Sequence, residues 1–332
     1  MIEERTVSIG ALELDGGQRL PAVEQRVTIY GTPRDDGSNV VLVPHALTGS
    51  SRVAEWWPGI AGPGGLFDAP WCVVGINALG SCYGSTGPRD AAFPRLTVRD
   101  LVRAQARALD GLGIQRVSVA IGGSLGGMQA LQWALDFPRR VERAIVVGAH
   151  DHHSTMGVAL NAVQREAIAL DPSRGLRLAR KIAMLTYKSE ELLNARHGRR
   201  ADRHGKPLFD VEGYLDRQAD ALLSRMDPNA YVALTHAMDS FDVRDAAGTP
   251  PSSPALLPKL TFVGITSDWL FRPQEVRAAA QRFSGRGFDA EYLELGSDHG
   301  HDAFLAEAPA LATLLSAKAE VRATLSAERL QR

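Results

Sequence analysis

The chain has 332 residues, of which 45% are hydrophobic and 23% are charged, as in ordinary globular proteins. Its 37 basic and 38 acidic residues give a net charge of −1, so composition provides no electrostatic basis for binding nucleic acid or an anionic membrane. With two cysteines and no run typical of a signal peptide or a membrane span, we expect a cytoplasmic protein without a disulfide framework.

The first part of the chain has the pattern of a sheet flanked by helices. Residues 7–14 and 23–30 predict an antiparallel hairpin at a sheet edge. The continuous apolar runs 39–43 and 71–76 predict strands that are buried on both faces. Residues 97–112 have the apolar spacing of a helix that packs on such a sheet. This order predicts a mainly parallel sheet with helical crossovers.

A glycine-rich turn with a serine at its apex follows. The β-branched run 117–121 predicts a strand, and residues 128–134 predict a helix directly after the turn. Between them, Gly122, Ser124 and Gly126 match the Gly-x-Ser-x-Gly pattern, in which a strained serine needs small neighbours on both sides. The context of strand, turn and helix favours a nucleophile over a turn that merely packs closely.

The second half of the chain contains a segment of different character. After a strand predicted at 141–147, residues 150–245 show helix patterns and no strand pattern. We therefore expect a helical lid insertion at 150–245 within a core domain formed by residues 1–149 and 246–332. The alternation then resumes, with strands predicted at 259–265 and 290–295 and helices at 273–283 and 302–318. For the tail, 320–332, a polar helix and disorder both stay open.

A serine nucleophile needs a base and a group that orients the base. Asp268 and His301 each follow a predicted strand, and the order Ser124, Asp268, His301 is that of the α/β-hydrolase fold. His299 is a rival for His301, and Asp268 also fits a turn residue or a helix cap. Asp298 and Asp302 also stand close enough in sequence to orient a histidine. We favour His301 because Gly300 precedes it and a helix starts at Asp302.

The oxyanion of an acyl-transfer intermediate needs two N–H donors. One is expected from Leu125, the residue after the nucleophile. The other is expected from the loop that follows the strand at 39–43, most plausibly from Leu47.

Five ordered motifs resemble the MetX-type homoserine O-acyltransferases of the α/β-hydrolase superfamily. The motifs are HALTG at 45–49, GSTGP at 84–88, GGSLGGMQALQW at 122–133, SDWLF at 267–271 and GHDAFL at 300–305. Short segments of the insertion, including 174–180 and 227–231, resemble the lid of that family. The resemblance extends over about residues 23–310.

The resemblance implies a triad of Ser124, Asp268 and His301, with acetyl-CoA or another acyl-CoA as co-substrate and no cofactor. It also implies that Arg180 binds the carboxylate of a small hydroxy amino acid and that Asp302 binds its ammonium. A zwitterion needs one fixed cation and one fixed anion, so the chemistry agrees. Tyr187 is expected to be a hydrogen-bonding neighbour, although Arg180 also fits a solvated lid charge. The implied product is O-acetylhomoserine, an entry to methionine synthesis, and the implied assembly is a homodimer through the lid helices.

Some segments depart from the family pattern. His150, Asp151, His152 and His153 invite a metal site, but adjacent residues are not expected to converge on one ion, and we expect no metal. Near the expected acyl pocket, Tyr83 brings no charge, which favours an acetyl over a succinyl donor. Arg89 lies just beyond, and a succinyl donor would be favoured if its charge reached the pocket. Homoserine or serine O-succinyltransferase, a serine esterase or hydrolase, and a non-catalytic binding module stay as alternatives.

Overall fold

A computed structural model describes residues 1–62, 64–90, 92–201, 203–205, 209–245 and 257–317. Within these residues the chain forms one eight-stranded sheet with the order β1-β2-β4-β3-β5-β6-β7-β8. The strands are β1 (Ile2–Glu13), β2 (Arg19–Tyr30), β3 (Val40–Pro44), β4 (Cys72–Ile76), β5 (Val117–Gly123), β6 (Val141–Val147), β7 (Lys259–Ile265) and β8 (Ala290–Leu295).

The sheet is mainly parallel, as predicted. Only the pairs β1–β2 and β2–β4 are antiparallel. The edge hairpin is confirmed, but both of its strands start earlier than predicted, and Ile2 pairs with Tyr30. The early part of β1 is exposed or half-buried and carries charged residues, so its sequence lacks the apolar alternation on which the prediction relied.

Helices cover both faces of the sheet. The helix predicted at 97–112 is α2, whose Thr97 cap and Asp100 form a reciprocal capping box. The core helices are α1 (Val53–Trp56), α2 (Val98–Gly111), α3 (Leu125–Asp136), α9 (Pro273–Gly285), α10 (Ala303–Ala306) and α11 (Ala308–Ala317).

Among the described residues between β6 and β7 there are five helices and none of the eight strands. They are α4 (Thr155–Leu170), α5 (Pro172–Tyr187), α6 (Glu190–Arg196), α7 (Asp210–Leu223) and α8 (Pro228–Asp239). Asp171-Pro172 and Asp227-Pro228 start helices, because each aspartate caps backbone N–H groups and each proline takes the first helical position. Leu176 and Tyr231 share one apolar cluster with Leu125 of α3, so these lid helices pack above the nucleophile turn.

The prediction of one continuous helix at 302–318 is wrong. A 3₁₀ turn at Gly300–Asp302 leads into α10, and a break at Glu307 separates α10 from α11. Pro309 explains the break, since it has no N–H to donate to the carbonyl of Leu305. The tail and most of the 248–258 linker lie outside the described residues. Among the described helices, none is both long and apolar enough to cross a membrane.

Candidate active site

Ser124 lies at the apex of the turn between β5 and α3. Its φ of +57° and ψ of −125° make it the one non-glycine residue with positive φ among the described residues. The conformation is held in place because the Ser124 N–H donates to the Val147 carbonyl at 2.9 Å, next to the end of β6. A strained serine that the surrounding structure fixes in this way is typical of a nucleophile turn.

The glycines around Ser124 are required by close backbone contacts. A Cβ atom at Gly122 would lie 2.3 Å from the carbonyl carbon of Gly126, and one at Gly126 would lie 2.3 Å from the Pro44 carbonyl oxygen. A Cβ atom at Gly123 would lie 2.4 Å from the ring of Phe304. These contacts provide the physical reason for the small residues in the motif.

Asp268 and His301 form a buried pair. His301 Nδ1 lies 2.7 Å from Asp268 Oδ2, and each residue is only 2% exposed. The other carboxylate oxygen of Asp268 accepts the N–H groups of Leu270 and Phe271, both at 2.9 Å. The carboxylate therefore accepts two backbone N–H groups and faces the His301 ring, which places the ring proton on Nδ1.

The remaining nitrogen of His301 is available for proton transfer. Nε2 is buried and has no hydrogen-bond partner among the described residues. Burial lowers the pKa of His301, but the adjacent Asp268 carboxylate outweighs it, so the pKa is raised above its ordinary value. The ring is held between aromatic neighbours, with centroids 5.1 Å from Phe271, 5.5 Å from Tyr187 and 5.7 Å from Phe304.

Ser124 and His301 both lie beside the carboxyl end of β6. A Cβ atom at Gly148 would lie 3.3 Å from His301 Cε1, and Val147, the residue before it, accepts the Ser124 N–H. The structure thus brings the three predicted triad residues to the edge of the sheet where parallel strands end and ligands bind.

The rival histidine has different neighbours. His299 Nε2 lies 3.4 Å from an Arg196 nitrogen and 3.9 Å from a Glu307 oxygen. The carboxylate on the ring of His301 comes from Asp268, whereas Asp302 pairs with a lysine. The geometry therefore favours His301 over His299.

The two segments expected to form the oxyanion hole are joined by one buried side chain. Leu47 and Leu125 are buried, and among the described turns and loops neither amide donates to a backbone carbonyl. The Gln129 side-chain amide donates to the His45 carbonyl at 3.2 Å and to the Leu125 carbonyl at 3.1 Å. Gln105 in turn donates to Gln129 Oε1 at 2.7 Å. Sequence reasoning missed Gln129, although it lies inside the nucleophile motif.

His45 is a structural histidine in this arrangement. It is fully buried, and burial lowers its pKa to about 4. The Ala78 N–H donates to His45 Nε2 at 2.9 Å, and Nδ1 donates to the Ala46 carbonyl at 2.7 Å. The neutral ring therefore links the loops that follow β3 and β4.

The residues expected to bind the amino acid lie around His301. The guanidinium carbon of Arg180 lies 5.9 Å from the centroid of Tyr187, whose ring contacts His301. Arg180 Nε is buried without a partner among the described residues, and one terminal nitrogen lies 3.5 Å from Gln218 Oε1. Burial raises the pKa of Tyr187 to about 12, so its hydroxyl stays protonated.

Lys188 is a further member of this group that the sequence did not indicate. Its Nζ lies 2.8 Å from Asp302 Oδ2, so the carboxylate expected to bind an ammonium already pairs with one. The sequence shows only that a lysine follows the Thr186-Tyr187 segment, and nothing distinguishes it from the other charged residues of the lid.

The cation beside Tyr83 is a residue that the sequence did not indicate. Arg225, from the segment between α7 and α8, donates to the Tyr83 hydroxyl at 2.7 Å and to the Thr48 carbonyl at 2.6 Å. Tyr83 and Arg225 line one cavity of about 590 Å³, whereas Arg89 lines a different one. A cation therefore stands beside Tyr83, but it comes from the lid.

The histidine-rich segment converges, contrary to expectation. His150, Asp151 and His152 each offer a ligand atom within 4.8 Å of the others. Asp151 is already engaged, because Arg282 donates to both of its oxygens at 2.7 and 2.8 Å and His152 lies at 2.9 Å. Burial opposes its ionisation, but these bonds hold the pKa of Asp151 below its ordinary value. His153 lies apart and contacts Asp239 at 3.0 Å. The absence of a metal stays a prediction.

Comparison with known proteins agrees with this geometry. The family profile of the α/β hydrolase fold matches residues 39–308. The chain is 39% identical to the homoserine O-acetyltransferase of Symbiobacterium thermophilum, covering 90% of this chain and 89% of that protein. It is also 39% identical to the homoserine O-succinyltransferase of Bordetella avium, covering 89% and 82%. The crystal structure of homoserine O-acetyltransferase from Staphylococcus aureus superimposes with a TM-score of 0.80 at 29% identity, covering 96% of each chain.

Esterase E22 superimposes with a TM-score of 0.84 at 24% identity, covering 98% of this chain and 100% of the other, which shows the shared fold alone. The chain therefore belongs to the α/β hydrolases. Within them, identity over nearly its full length assigns it to the family of the homoserine O-acyltransferases.

Proposed function

We propose that this chain is a cytoplasmic homoserine O-acetyltransferase that acts in methionine synthesis. It transfers the acetyl group of acetyl-CoA to the hydroxyl of homoserine through an acyl-Ser124 intermediate, without a metal or a bound cofactor. Ser124, His301 and Asp268 carry the chemistry, and the amides of Leu47 and Leu125 stabilise the oxyanion.

In the first half-reaction, Ser124 Oγ attacks the thioester carbonyl carbon and His301 Nε2 takes the serine proton. The tetrahedral intermediate collapses as the C–S bond breaks. His301 then gives the proton to the departing thiolate, so CoA leaves as a thiol and acetyl-serine remains. The unpartnered Nε2 of His301 supports this role, because it has an acceptor lone pair in a site otherwise lined by aromatic rings.

In the second half-reaction, the homoserine hydroxyl attacks the acetyl-serine carbonyl while His301 takes its proton. The bond between the carbonyl carbon and Ser124 Oγ breaks, and the proton returns to the serine. Arg180 binds the acceptor's carboxylate and Asp302 its ammonium, with Tyr187 between Arg180 and His301. The lid must exclude water, because an acyl-enzyme open to solvent is an esterase.

One observation carries the choice of a transferase over an esterase. A guanidinium with a buried, unpartnered Nε and a carboxylate flank the base, as a zwitterionic acceptor requires. An esterase has no need of opposite charges placed around its base.

The test is a steady-state assay of CoA release from acetyl-CoA with homoserine, serine or water as acceptor. We expect turnover that requires homoserine, and acetyl-Ser124 detectable by mass spectrometry when no acceptor is present. Ser124→Ala should abolish both, with a loss of several orders of magnitude, since triad members act as a unit. Equal turnover with and without homoserine would indicate a hydrolase, and the absence of any burst of CoA would indicate a binding module.

A succinyl donor is a second candidate because of Arg225. Its guanidinium is bonded to the Tyr83 hydroxyl and to the loop after Leu47, so it borders the region where the acyl group is expected. A distal carboxylate would find a cation there, which removes much of the cost of burying it. Competition between acetyl-CoA and succinyl-CoA at equal concentrations decides between the donors.

We also propose a homodimer formed through the lid, residues 150–245. Support comes from apolar side chains on α4 and α5 that remain exposed in the single chain. They are Met156 (60%), Val163 (54%), Leu170 (84%), Leu178 (50%) and Leu185 (46%). Ile168 and Leu222, two other apolar residues of the lid, are instead buried within the chain.

A further inference from the structure

The carboxylate assigned to the acceptor's ammonium holds a cation of this chain. Lys188 Nζ lies 2.8 Å from Asp302 Oδ2, and the two side chains are only 10% and 20% exposed. The attraction within such a shielded pair is screened less by solvent and salt than in a pair on the open surface. The side-chain ammonium of Lys188 and the α-ammonium of homoserine are the same kind of group, so the two compete for one carboxylate.

Backbone packing holds Lys188 next to the base. Gly300 has a φ of +67°, and a Cβ atom there would lie 2.8 Å from the carbonyl carbon of Lys188 and from the nitrogen of Ser189. The Ser189 hydroxyl donates to the Asp298 carbonyl in the same loop. The end of α5 and the loop of His301 are therefore in direct contact. The positive charge of Lys188 accordingly opposes protonation of His301 and lowers its pKa, while Asp302 raises it.

The Lys188 side chain also borders space into which it can withdraw. A cavity of about 1010 Å³ opens between α6 and the segment 266–274, and Lys188 lines it together with Glu190, Glu191 and Asp298. Ser124 and His301 do not line this cavity, although Asp268 does. Three carboxylates there offer partners for an ammonium that leaves Asp302.

We infer that Lys188 is an internal counter-ion that fills the ammonium subsite at Asp302 and is exchanged for the acceptor's ammonium in the second half-reaction. This inference rests on the proposed function. Lys188 is thus a specificity-determining residue and takes no part in bond making. The ammonium of the acceptor takes the place of the Lys188 ammonium at Asp302. One positive charge is exchanged for another, so the net charge around His301 stays the same. A hydroxy acid without that group leaves the pair of Lys188 and Asp302 in place.

The test compares two acceptors in the wild type and in Lys188→Met, which keeps the length of the side chain and removes its charge. The acceptors are homoserine and 4-hydroxybutanoate, which has the same chain without the ammonium. In Lys188→Met, no lysine ammonium competes with homoserine for Asp302. The carboxylate is then always available to the acceptor, so the KM for homoserine should fall about fivefold. When 4-hydroxybutanoate binds to the variant, Asp302 has neither Lys188 nor an acceptor ammonium beside it. The kcat/KM for homoserine divided by that for 4-hydroxybutanoate should therefore rise about tenfold.

A second readout separates this role from a structural one. Because Lys188 lowers the pKa of His301, its removal lets that pKa rise. The base must be neutral to act, so the acid limb of kcat/KM for the acyl donor should move to higher pH in Lys188→Met. Lys188→Arg retains the charge and should restore both the limb and the acceptor ratio.

The matched control is Lys181→Met on α5. Lys181 Nζ pairs with Asp216 at 2.6 Å, but this pair lies outside the group around His301. An unchanged acceptor ratio and acid limb in folded Lys188→Met, or equal changes in Lys181→Met, would overturn the inference. If Lys188→Met does not fold, Lys188→Gln undergoes the same measurements. Turnover of wild-type protein with homoserine tests the proposed function alone, so the two failures are distinguishable.

Discussion

At the scale of single residues, the candidate chemistry depends on the environment of His301. Burial alone would make this histidine a weak base, because desolvation disfavours the imidazolium that forms when it takes a proton. The carboxylate of Asp268 reverses that effect at 2.7 Å, and two backbone N–H groups that donate to its other oxygen hold it in position. The function of the pair thus depends on four consecutive residues of one loop, from Asp268 to Phe271.

Asp268→Asn tests this assignment through pH. The substitution removes the charge that raises the pKa of His301 and leaves the burial that lowers it. Activity requires neutral His301, so the acid limb of kcat/KM should shift to lower pH, while the plateau falls by roughly 10⁴-fold as in other triads.

The measurement is CoA release as a function of pH, with His299→Asn as the control that retains the wild-type profile. An acid limb that stays in place in Asp268→Asn, or moves to higher pH, would contradict the assignment. Loss of activity in the His299 variant alone would transfer the role of base to that residue.

The triad residues could be predicted from the sequence because each belongs to a local motif at the end of a strand. Ser124 has glycines on both sides, and His301 follows Gly300. Lys188 and Arg225 could not be predicted, because their partners Asp302 and Tyr83 are more than a hundred residues away in the chain. Long side chains on helices carry no sequence signal of what they contact.

At the scale of elements, the oxyanion hole depends on how α3 is attached to the loop after β3. Gln129 lies one turn after Leu125, and its amide bonds the carbonyls of both Leu125 and His45. Its oxygen accepts from Gln105, whose own oxygen accepts from Trp133 at 2.8 Å. One buried network therefore joins Leu125 to the loop that contains Leu47.

Gln129→Met should impair both half-reactions equally. It has a similar shape but leaves the His45 carbonyl and the Gln105 amide without their partner, which costs ~1–3 kcal/mol of folding stability for each buried group. Because Leu47 then loses its fixed position relative to Leu125, kcat should fall by about 10- to 100-fold, less than the ~10²–10³ for removing an oxyanion donor outright.

Burst rates and steady-state rates with homoserine, together with thermal melting, check this prediction. The control is Gln132→Met on the same helix, whose buried Nε2 has no partner among the described residues. A normal burst rate in Gln129→Met with slow transfer only to homoserine would speak against a role at the oxyanion hole.

Several strand boundaries could be predicted from the sequence. The strands at 141–147, 259–265 and 290–295 have the bounds that the sequence predicts. The first two are buried along most of their length, as expected for inner strands of a parallel sheet, whereas the third is only partly buried. The regular apolar spacing at 302–318 predicts a continuous helix. The helix is instead divided in two, because Pro309 has no N–H with which to continue the hydrogen bonding. The sequence does not predict that His150, Asp151 and His152 converge. Asp151 is held by hydrogen bonds from Arg282, a residue distant in the chain, and such a contact has no local sequence signal.

At the scale of the whole molecule, the lid has two faces with different partners. Its inner face shares an apolar cluster with α3, and its polar residues Arg180, Lys188 and Arg225 point their charged groups at partners around the candidate site. Its outer face carries Met156, Val163 and Leu170 at intervals of seven residues on α4. A stripe of this kind lies on one side of a helix and is typical of a surface that packs against another helix.

We expect the protein to be a homodimer at micromolar concentration, with this stripe and the exposed leucines of α5 at the interface. A double substitution, Val163→Glu with Leu170→Glu, should give a folded monomer, because two charges would be buried without partners in the dimer. In the free monomer both positions are exposed, at 54% and 84%, so folding itself should cost little. Light scattering after size-exclusion chromatography measures the mass, and circular dichroism verifies the fold.

The control is Ile2→Glu, which places a charge at a residue that is 68% exposed on the edge strand β1 and is not part of the lid. It should remain dimeric. A wild-type protein that is monomeric at micromolar concentration contradicts the prediction, and a double variant that remains dimeric places the interface elsewhere. Since α5 carries both Leu178 on the exposed face and Arg180 at the candidate site, dissociation should also raise the KM for homoserine while leaving the burst of CoA intact. We expect this effect on KM because α5 contributes to both the dimer interface and the candidate site. Loss of packing on its exposed face should increase the mobility of the side chains on its inner face.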